Sequence, residues 1–156
     1  MEYKVSIDPG TNSTGICVWE DGLPIQCFAI HPVKEATTFV GKVISLGGEL
    51  GMNLRYYGNL GAITDVAIED FSHYHSKDDT IGARSAKTSM IKCATVRGAL
   101  IYECAGWSIS VKLISKGNIS KDQTKQLARS YGITTKNKDA LDAFQIGVCA
   151  GFDKRS

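Results

Sequence analysis

Four acids in three short contexts constrain this chain most: Asp8 in IDPGTNSTG, Glu69 in VAIEDF, and Asp139 with Asp142 in NKDALDAF. Asp8 and Glu69 each end a short apolar run of strand character, whereas Asp139 and Asp142 lie three apart in a helical stretch. All four converge only if the fold brings two strand ends and one helix to the same place. Carboxylates forced together repel one another and are costly to desolvate unless a cation is present. The set therefore reads as a divalent-metal site built on a mixed α/β fold.

The hydrophobic pattern supplies the elements of that fold. Tyr3, Val5 and Ile7 alternate with Lys4, Ser6 and Asp8, so residues 3–8 read as a strand, and Pro9-Gly10 forces a turn after it. GICVWE (15–20) and IQCFAI (25–30) are two further strands joined through Asp21, Gly22, Leu23 and Pro24, giving an antiparallel three-stranded start. A helical stripe runs from Phe39 through Leu46 and Leu50 to Leu54, within about 35–57, weakened by Gly41, Gly47, Gly48 and Gly51. TDVAIE (64–69) is the fourth strand, and the polar segment 72–85 reads as a loop. A long helix over 86–105, a strand over 107–113, and helices over 121–131 and 138–150 complete the order β-β-β-α-β-α-β-α-α. That order predicts a mixed five-stranded sheet, antiparallel at its start and then parallel, flanked by helices.

A length of 156 residues suits one domain spanning 1–156, enough to bury roughly two-thirds of the unfolded surface. The apolar runs are far shorter than the roughly 20 residues of a membrane span, and MEYKVSIDPG has no basic leader, so an intracellular setting and no membrane partner are expected. Cys17, Cys27, Cys93, Cys104 and Cys149 are scattered, odd in number and without a CxxC pair, and are expected to be free thiols.

The formal charge of +2 conceals an uneven distribution. Residues 1–70 hold 4 Lys+Arg against 9 Asp+Glu, and residues 71–138 hold 12 against 4. Lys112, Lys116, Lys121, Lys125, Arg129, Lys136 and Lys138 face only Asp122, a local excess of the kind that tracks a phosphate backbone and equally suits a solvated helix face. The segment after Glu69 interleaves Phe71, His73, Tyr74 and His75 with Lys77 and Arg84, and such rings can stack on unpaired bases. Either Phe71 or Tyr74 could be the stacking residue, and Phe71 could instead continue the strand into the core.

Taken in order, IDPGTNSTG, AIEDF, KCATVRGALIYECAG, VKLISKGNISKDQ and KDALDAF resemble the motifs of the RuvC Holliday-junction resolvases, members of the ribonuclease H-like nuclease and integrase superfamily. The resemblance covers nearly the whole chain. It implies a ribonuclease H-like fold and a homodimer that nicks four-way DNA junctions symmetrically. It also implies that Lys121 matches the family's lysine at the start of the penultimate helix and that Lys112 matches an earlier one on the strand, with Lys116 a weaker candidate. Asp70 departs from the pattern, since it adds a charge beside the glutamate and leaves Phe71 one residue too close to it.

The residues support the chemistry independently. Asp139 and Asp142 share a helix face with about 5–6 Å between Cβ atoms, and two Mg2+ ions about 4 Å apart can stabilise both the attacking and the leaving oxygens of a phosphodiester. Mg2+ takes oxygen ligands and Mn2+ substitutes for it, whereas His73 and His75 suit softer ions. In this assignment Asp8 bridges two ions, Glu69 binds one, and Asp139 with Asp142 binds the other. The resemblance implies that Lys121 assists the developing charge, and Phe71, Tyr74, Lys77, Arg84, Lys112, Lys116, Lys121 and Lys125 are the expected DNA contacts. Asp8 before Pro9-Gly10 also suits a plain turn, and Asp139 after the expected cap Asn137 also suits a helix dipole. Glu69 and Asp142, set among apolar neighbours, resist such readings.

Three other functions share parts of this pattern. One is a nuclease of the same fold acting on flaps, other branched DNA or RNA–DNA hybrids. Another is an actin-like or sugar-kinase ATPase, whose phosphate-binding turn IDPGTNSTG also resembles, although 156 residues cannot supply its two domains. The last is a non-catalytic nucleic-acid-binding module, in which four uncompensated acids would weaken phosphate binding.

Overall fold

A computed structural model describes residues 1–70, 81–117 and 119–154, with side chains omitted for 81–87. The elements are β1 (Glu2–Asp8), β2 (Thr14–Glu20), β3 (Leu23–Ile30), α1 (Phe39–Leu60), β4 (Ala62–Glu69), α2 (Ile81–Gly106), β5 (Ser110–Ile114), α3 (Lys121–Ser130) and α4 (Lys138–Cys149). The five strands form one mixed sheet in the order β3-β2-β1-β4-β5. β1 and β2, and β2 and β3, pair antiparallel, while β4 is parallel to both β1 and β5. The element order and the antiparallel-then-parallel sheet are those the hydrophobic pattern predicts.

Strand alternation sorts the side chains into two cores. Tyr3, Val5, Ile7, Val66 and Ile68 pack with Leu46, Leu50 and Leu54 of α1 and Val96, Leu100 and Cys104 of α2. On the opposite face Cys17, Trp19 and Ala67 meet Ala128 of α3 and Ala143, Phe144 and Ile146 of α4. Trp19, 1% exposed, stacks on Phe144 at 5.3 Å between ring centroids and donates its indole N–H to Ser6 Oγ at 2.8 Å. Ser6 Oγ in turn donates to the carbonyl of Ala143 at 2.7 Å, so a buried polar chain fixes α4 on β1 and β2.

The boundaries differ from the sequence expectation where turn chemistry acts. The β2–β3 hairpin turns on Asp21 (φ 50°) and Gly22 (φ 78°) alone, the pair of left-handed residues that a tight hairpin favours. Leu23 and Pro24 therefore belong to β3, where Pro24 pairs with Trp19. Because β3 is an edge strand, a proline there breaks no ladder on its outer side. α1 starts at Phe39 rather than 35, behind the N-cap Thr38, whose side chain accepts from the N–H of Gly41. α2 begins at Ile81, inside the segment expected to be a loop, and β5 begins only at Ser110, after a turn with Ser108 at φ 56°.

One expectation fails outright. Cys17 and Cys27 are directly opposite in the β2–β3 register, 4.1 Å apart at Cα, and are joined in a disulfide, so only Cys93, Cys104 and Cys149 are free. Ten residues of sequence separation give no hint of this, because the pairing depends on where the hairpin turns and on the irregularity between Val18 and Trp19. Among the described residues no helix is long and apolar enough to cross a membrane.

Candidate active site

β1 and β4 run side by side in the same direction, with Ser6 opposite Ala67 and Ile7 opposite Ile68. Asp8 and Glu69 are the next residues on each strand, at the carboxyl ends where open α/β sheets place their ligands. Ser6 bonds to α4 and Ala67 packs against it, so alternation turns Asp8 and Glu69 toward the same helix.

α4 closes on these strand ends because two glycines leave room for it. Gly15 pairs with Asp8 across β1–β2, and a Cβ at Gly15 would sit 1.8 Å from the backbone carbonyl oxygen of Asp139. Two turns further on, a Cβ at Gly147 would lie 2.4 Å from the Trp19 indole. Asn137 caps α4 by accepting from the Ala140 N–H at 3.0 Å, which fixes Asp139 in the first turn. As a result Asp8, Asp139 and Asp142 each present a carboxylate oxygen within 4.8 Å of the others. Asp8 is 8% exposed and Asp142 9%.

Glu69 borders this group. It hydrogen-bonds Asp8 and reaches Lys116, whose Nζ lies 3.5 Å from Glu69 Oε1 and 3.6 Å from Asp142 Oδ2. Lys138 also lies 3.6 Å from Asp142 Oδ2, from the solvent side. Burial, the hydrogen bond that the protonated Asp8 carboxyl donates to Glu69, and the charges of Glu69 and Asp142 push the Asp8 carboxyl up to about 8, against the opposing pull of Lys116. Burial would lower the Lys116 ammonium, but Asp8, Glu69 and Asp142 together outweigh it and raise it. Without a metal, then, a proton on Asp8 and the Lys116 ammonium offset part of the negative charge of the cluster.

An all-oxygen donor set of this kind fits a hard divalent cation, and these three aspartates could hold one in place of the proton. Cys93 of α2 borders the same acids. Burial, then the charges of Asp8, Glu69 and Asp139, push its thiol up.

The structure distributes the remaining sequence candidates unevenly. Lys112 is turned away from the acids: it pairs with Asp65 at 3.7 Å, and Lys4 reaches the same carboxylate at 3.7 Å. β5 is paired so that Lys112 lies opposite Ala67, short of the Glu69 end, which leaves it in reach of Asp65. Lys116, read as the weaker candidate, is the lysine brought to the cluster, because the chain leaving β5 crosses it. Lys121 and Lys125 line a cavity of about 240 Å³ that also touches Lys138 and Asp142. Phe71, His73, Tyr74, His75 and Lys77 lie outside the described residues, and Arg84 lies in α2 with its side chain outside them. Asp70, the departure from the family pattern, is tied to Arg97 of α2 at 3.2 Å. Sequence reasoning missed this tie and the role of Lys138. The i,i+4 spacing of Lys138 and Asp142 was the available signal for the second.

No protein-family model and no curated protein matches this sequence. Among solved structures, the fold is similar to that of Thermus thermophilus RuvC, with a TM-score of 0.72 at 14% identity over 96% of this chain and 93% of that one. It is equally similar to T. thermophilus RuvC in complex with a Holliday junction substrate, with a TM-score of 0.72 at 12% identity over 97% of this chain and 94% of that one. The fold is thus ribonuclease H-like, with the mixed sheet and flanking helices of RuvC.

Proposed function

We propose that this chain is a metal-dependent endonuclease that resolves four-way DNA junctions by paired, symmetric nicks. The observation that carries the proposal is the convergence of Asp8, Asp139 and Asp142, with Glu69 beside them, on the α4 side of the β1 and β4 strand ends. Asp8, Glu69, Asp139 and Asp142 would hold two Mg2+ ions, or Mn2+ in their place. Such ions supply charge stabilisation at the attacking and leaving oxygens of a phosphodiester and a nucleophile at neutral pH.

The chain's own residues complete the chemistry. Lys116, which reaches both Glu69 and Asp142, would hold the scissile phosphate with its ammonium. Lys121 and Lys125, on the cavity wall near Asp142, contact the flanking phosphates. The interleaved segment from Phe71 to Arg84 supplies the stacking and phosphate contacts at the branch point, and a homodimer supplies two active sites for the two strands to be cut.

A purified preparation incubated with a four-way junction, a flap, an RNA–DNA hybrid and linear duplex, with Mg2+ or EDTA, tests the proposal. Paired symmetric nicks in the junction, abolished by EDTA and by Asp8→Asn or Asp142→Asn, support it. Cleavage confined to flaps or hybrids moves the activity to another nuclease of the same fold. Full cutting by both Asn variants removes the metal-site assignment, and a monomer by sedimentation with and without DNA removes the dimer.

A further inference from the structure

We infer that the groove between α3 and α4 is a track for the phosphate backbone of one nucleic-acid strand leading away from the acidic cluster, with Lys125, Arg129 and Lys136 as its phosphate contacts. The inference rests on the nuclease reading and adds to it the side on which the strand lies and the residues that hold it.

Two adjoining cavities form the groove. The first, about 240 Å³, ends at Asp142, and the second, about 630 Å³, continues to Arg129. Lys125, Lys136 and Leu141 line both, so one channel runs from the cluster outward. Asp142 is the one acid on the walls of the two, and it lies at the cluster end. Beyond it the lining is basic, with an apolar floor of Leu141 and Ile133.

The cations are regularly placed. Lys121, Lys125 and Arg129 follow at intervals of four on α3, which puts them along one exposed face, while Thr124 and Ala128 turn inward and are buried. Like charges at this spacing destabilise a helix, a cost that a bound polyanion removes. None of the three, nor Lys136, is within ion-pair range of an acid among the described residues. Eight residues of helix advance about 12 Å, which matches three or four nucleotides of a strand at about 3.4 Å of axial rise each.

The facing wall is built rather than loose. Gly132, at φ 78°, ends α3 with its N–H donating to the Arg129 carbonyl at 2.9 Å, while the Ile133 N–H donates to Ala128 at 3.0 Å. The reversal carries the chain back along the groove to Thr135, whose Oγ1 accepts from the Asn137 N–H at 3.2 Å, and on to the cap of α4. Lys136 is thereby held across from Lys125 on the lining of the same cavity. The acids at one end of the groove repel carboxylate and phosphate alike, and it is the row of cations at regular intervals on α3 that favours a strand, whose charges repeat at about 3.4 Å. Contacts to the phosphate backbone carry no sequence information, so the contact is sequence-independent.

Binding of a four-way junction and of a single-stranded oligonucleotide is measured in EDTA over a range of salt, for the full chain and for Arg129→Ala/Lys136→Ala. Each lost phosphate contact lowers the slope of log affinity against log salt by about 0.9 on duplex and 0.7 on single strand. The double variant is expected to lose about 1.4 to 1.8, with the slope restored by Arg129→Lys/Lys136→Arg and the thermal midpoint unmoved. Methylphosphonates placed one at a time around the cut site should weaken wild-type binding at two or more consecutive phosphates on one side only and have no such effect on the double variant. An unchanged slope, interference equal on both sides, or a polyglutamate peptide that protects these residues while the strand does not would each overturn the inference. The readout is binding without metal, so it fails separately from the nuclease reading, whose failure is absence of any nick with Mg2+.

Discussion

Gly15 and Asp139 meet backbone to side, with the missing Cβ of the glycine directed at the carbonyl oxygen of the aspartate, 1.8 Å from where a Cβ would stand. This contact joins the TG of the opening motif to the first turn of α4, and it decides whether Asp139 and Asp142 reach Asp8 at all. The obstacle is backbone, which cannot rotate aside.

Gly15→Ala is therefore expected to destabilise the fold by about 1–3 kcal/mol, the usual range for overpacking, and to weaken divalent-metal binding by more than tenfold. Chemical unfolding and Mn2+ titration check both. A variant of normal stability and metal affinity would show that α4 shifts at no cost and that the close approach is incidental.

Lys116 occupies part of the charge balance that a cation would take over. Lys116→Met is expected to tighten Mn2+ or Mg2+ binding about fivefold, the ~1 kcal/mol of a partly exposed pair, while reducing phosphodiester cleavage. Calorimetry in the absence of nucleic acid measures the first effect and cleavage assays the second. Weaker metal binding in the variant would mean that Lys116 organises the ligands rather than competing with a cation.

Asp8 gives a pH dependence with a defined sign. Its folded value, about 8, exceeds the ordinary 3.8, so without metal the native state holds a proton that the unfolded chain has released. Stability from this group is complete below pH 3.8 and is lost as pH rises toward about 8, by at most about 1.4 kcal/mol per pH unit. A divalent cation displaces the same proton, so metal affinity rises with pH across that window and levels off above it. Thermal unfolding in EDTA and with Mn2+ between pH 5 and about 9 checks both trends, and Asp8→Asn is expected to abolish the first.

The disulfide makes a chemical count possible. Unfolded without reductant, the chain should alkylate at Cys93, Cys104 and Cys149 alone, and at all five cysteines once reduced. Mass spectrometry reads the difference directly. Five labelled cysteines without reductant would show that the bond does not form in the protein as isolated.

Much of this was legible in the sequence. The alternation in β1, the apolar runs of β2 and β4, and the stripe through Leu46, Leu50 and Leu54 gave the element order. The acids ending β1 and β4 stood out because a carboxylate closing an apolar strand needs a partner. What stayed hidden involved long-range distance. Lys112, Lys116 and Lys121 are three similar lysines in ten residues of sequence, and only the register of β5 against β4 turns the first toward Asp65 and carries the second across the cluster. Cys17 and Cys27 were hidden for the same reason, since cross-strand adjacency depends on which residues make the turn. The tie between Asp70 and Arg97 depends on how α2 lies against the end of β4.

The sequence by itself determined the periodicities, the cap at Asn137 and which residue types can coordinate a hard cation, because these are local consequences of backbone sterics and side-chain chemistry. Only the tertiary structure decided that Asp8, Asp139 and Asp142 share a space narrower than 4.8 Å, that Glu69 stands at its border, and that Lys116 balances the group. Charge interactions and desolvation change steeply over a few ångströms, and distances on that scale between residues more than a hundred positions apart are fixed by packing, here by Gly15 under Asp139 and Trp19 against Gly147.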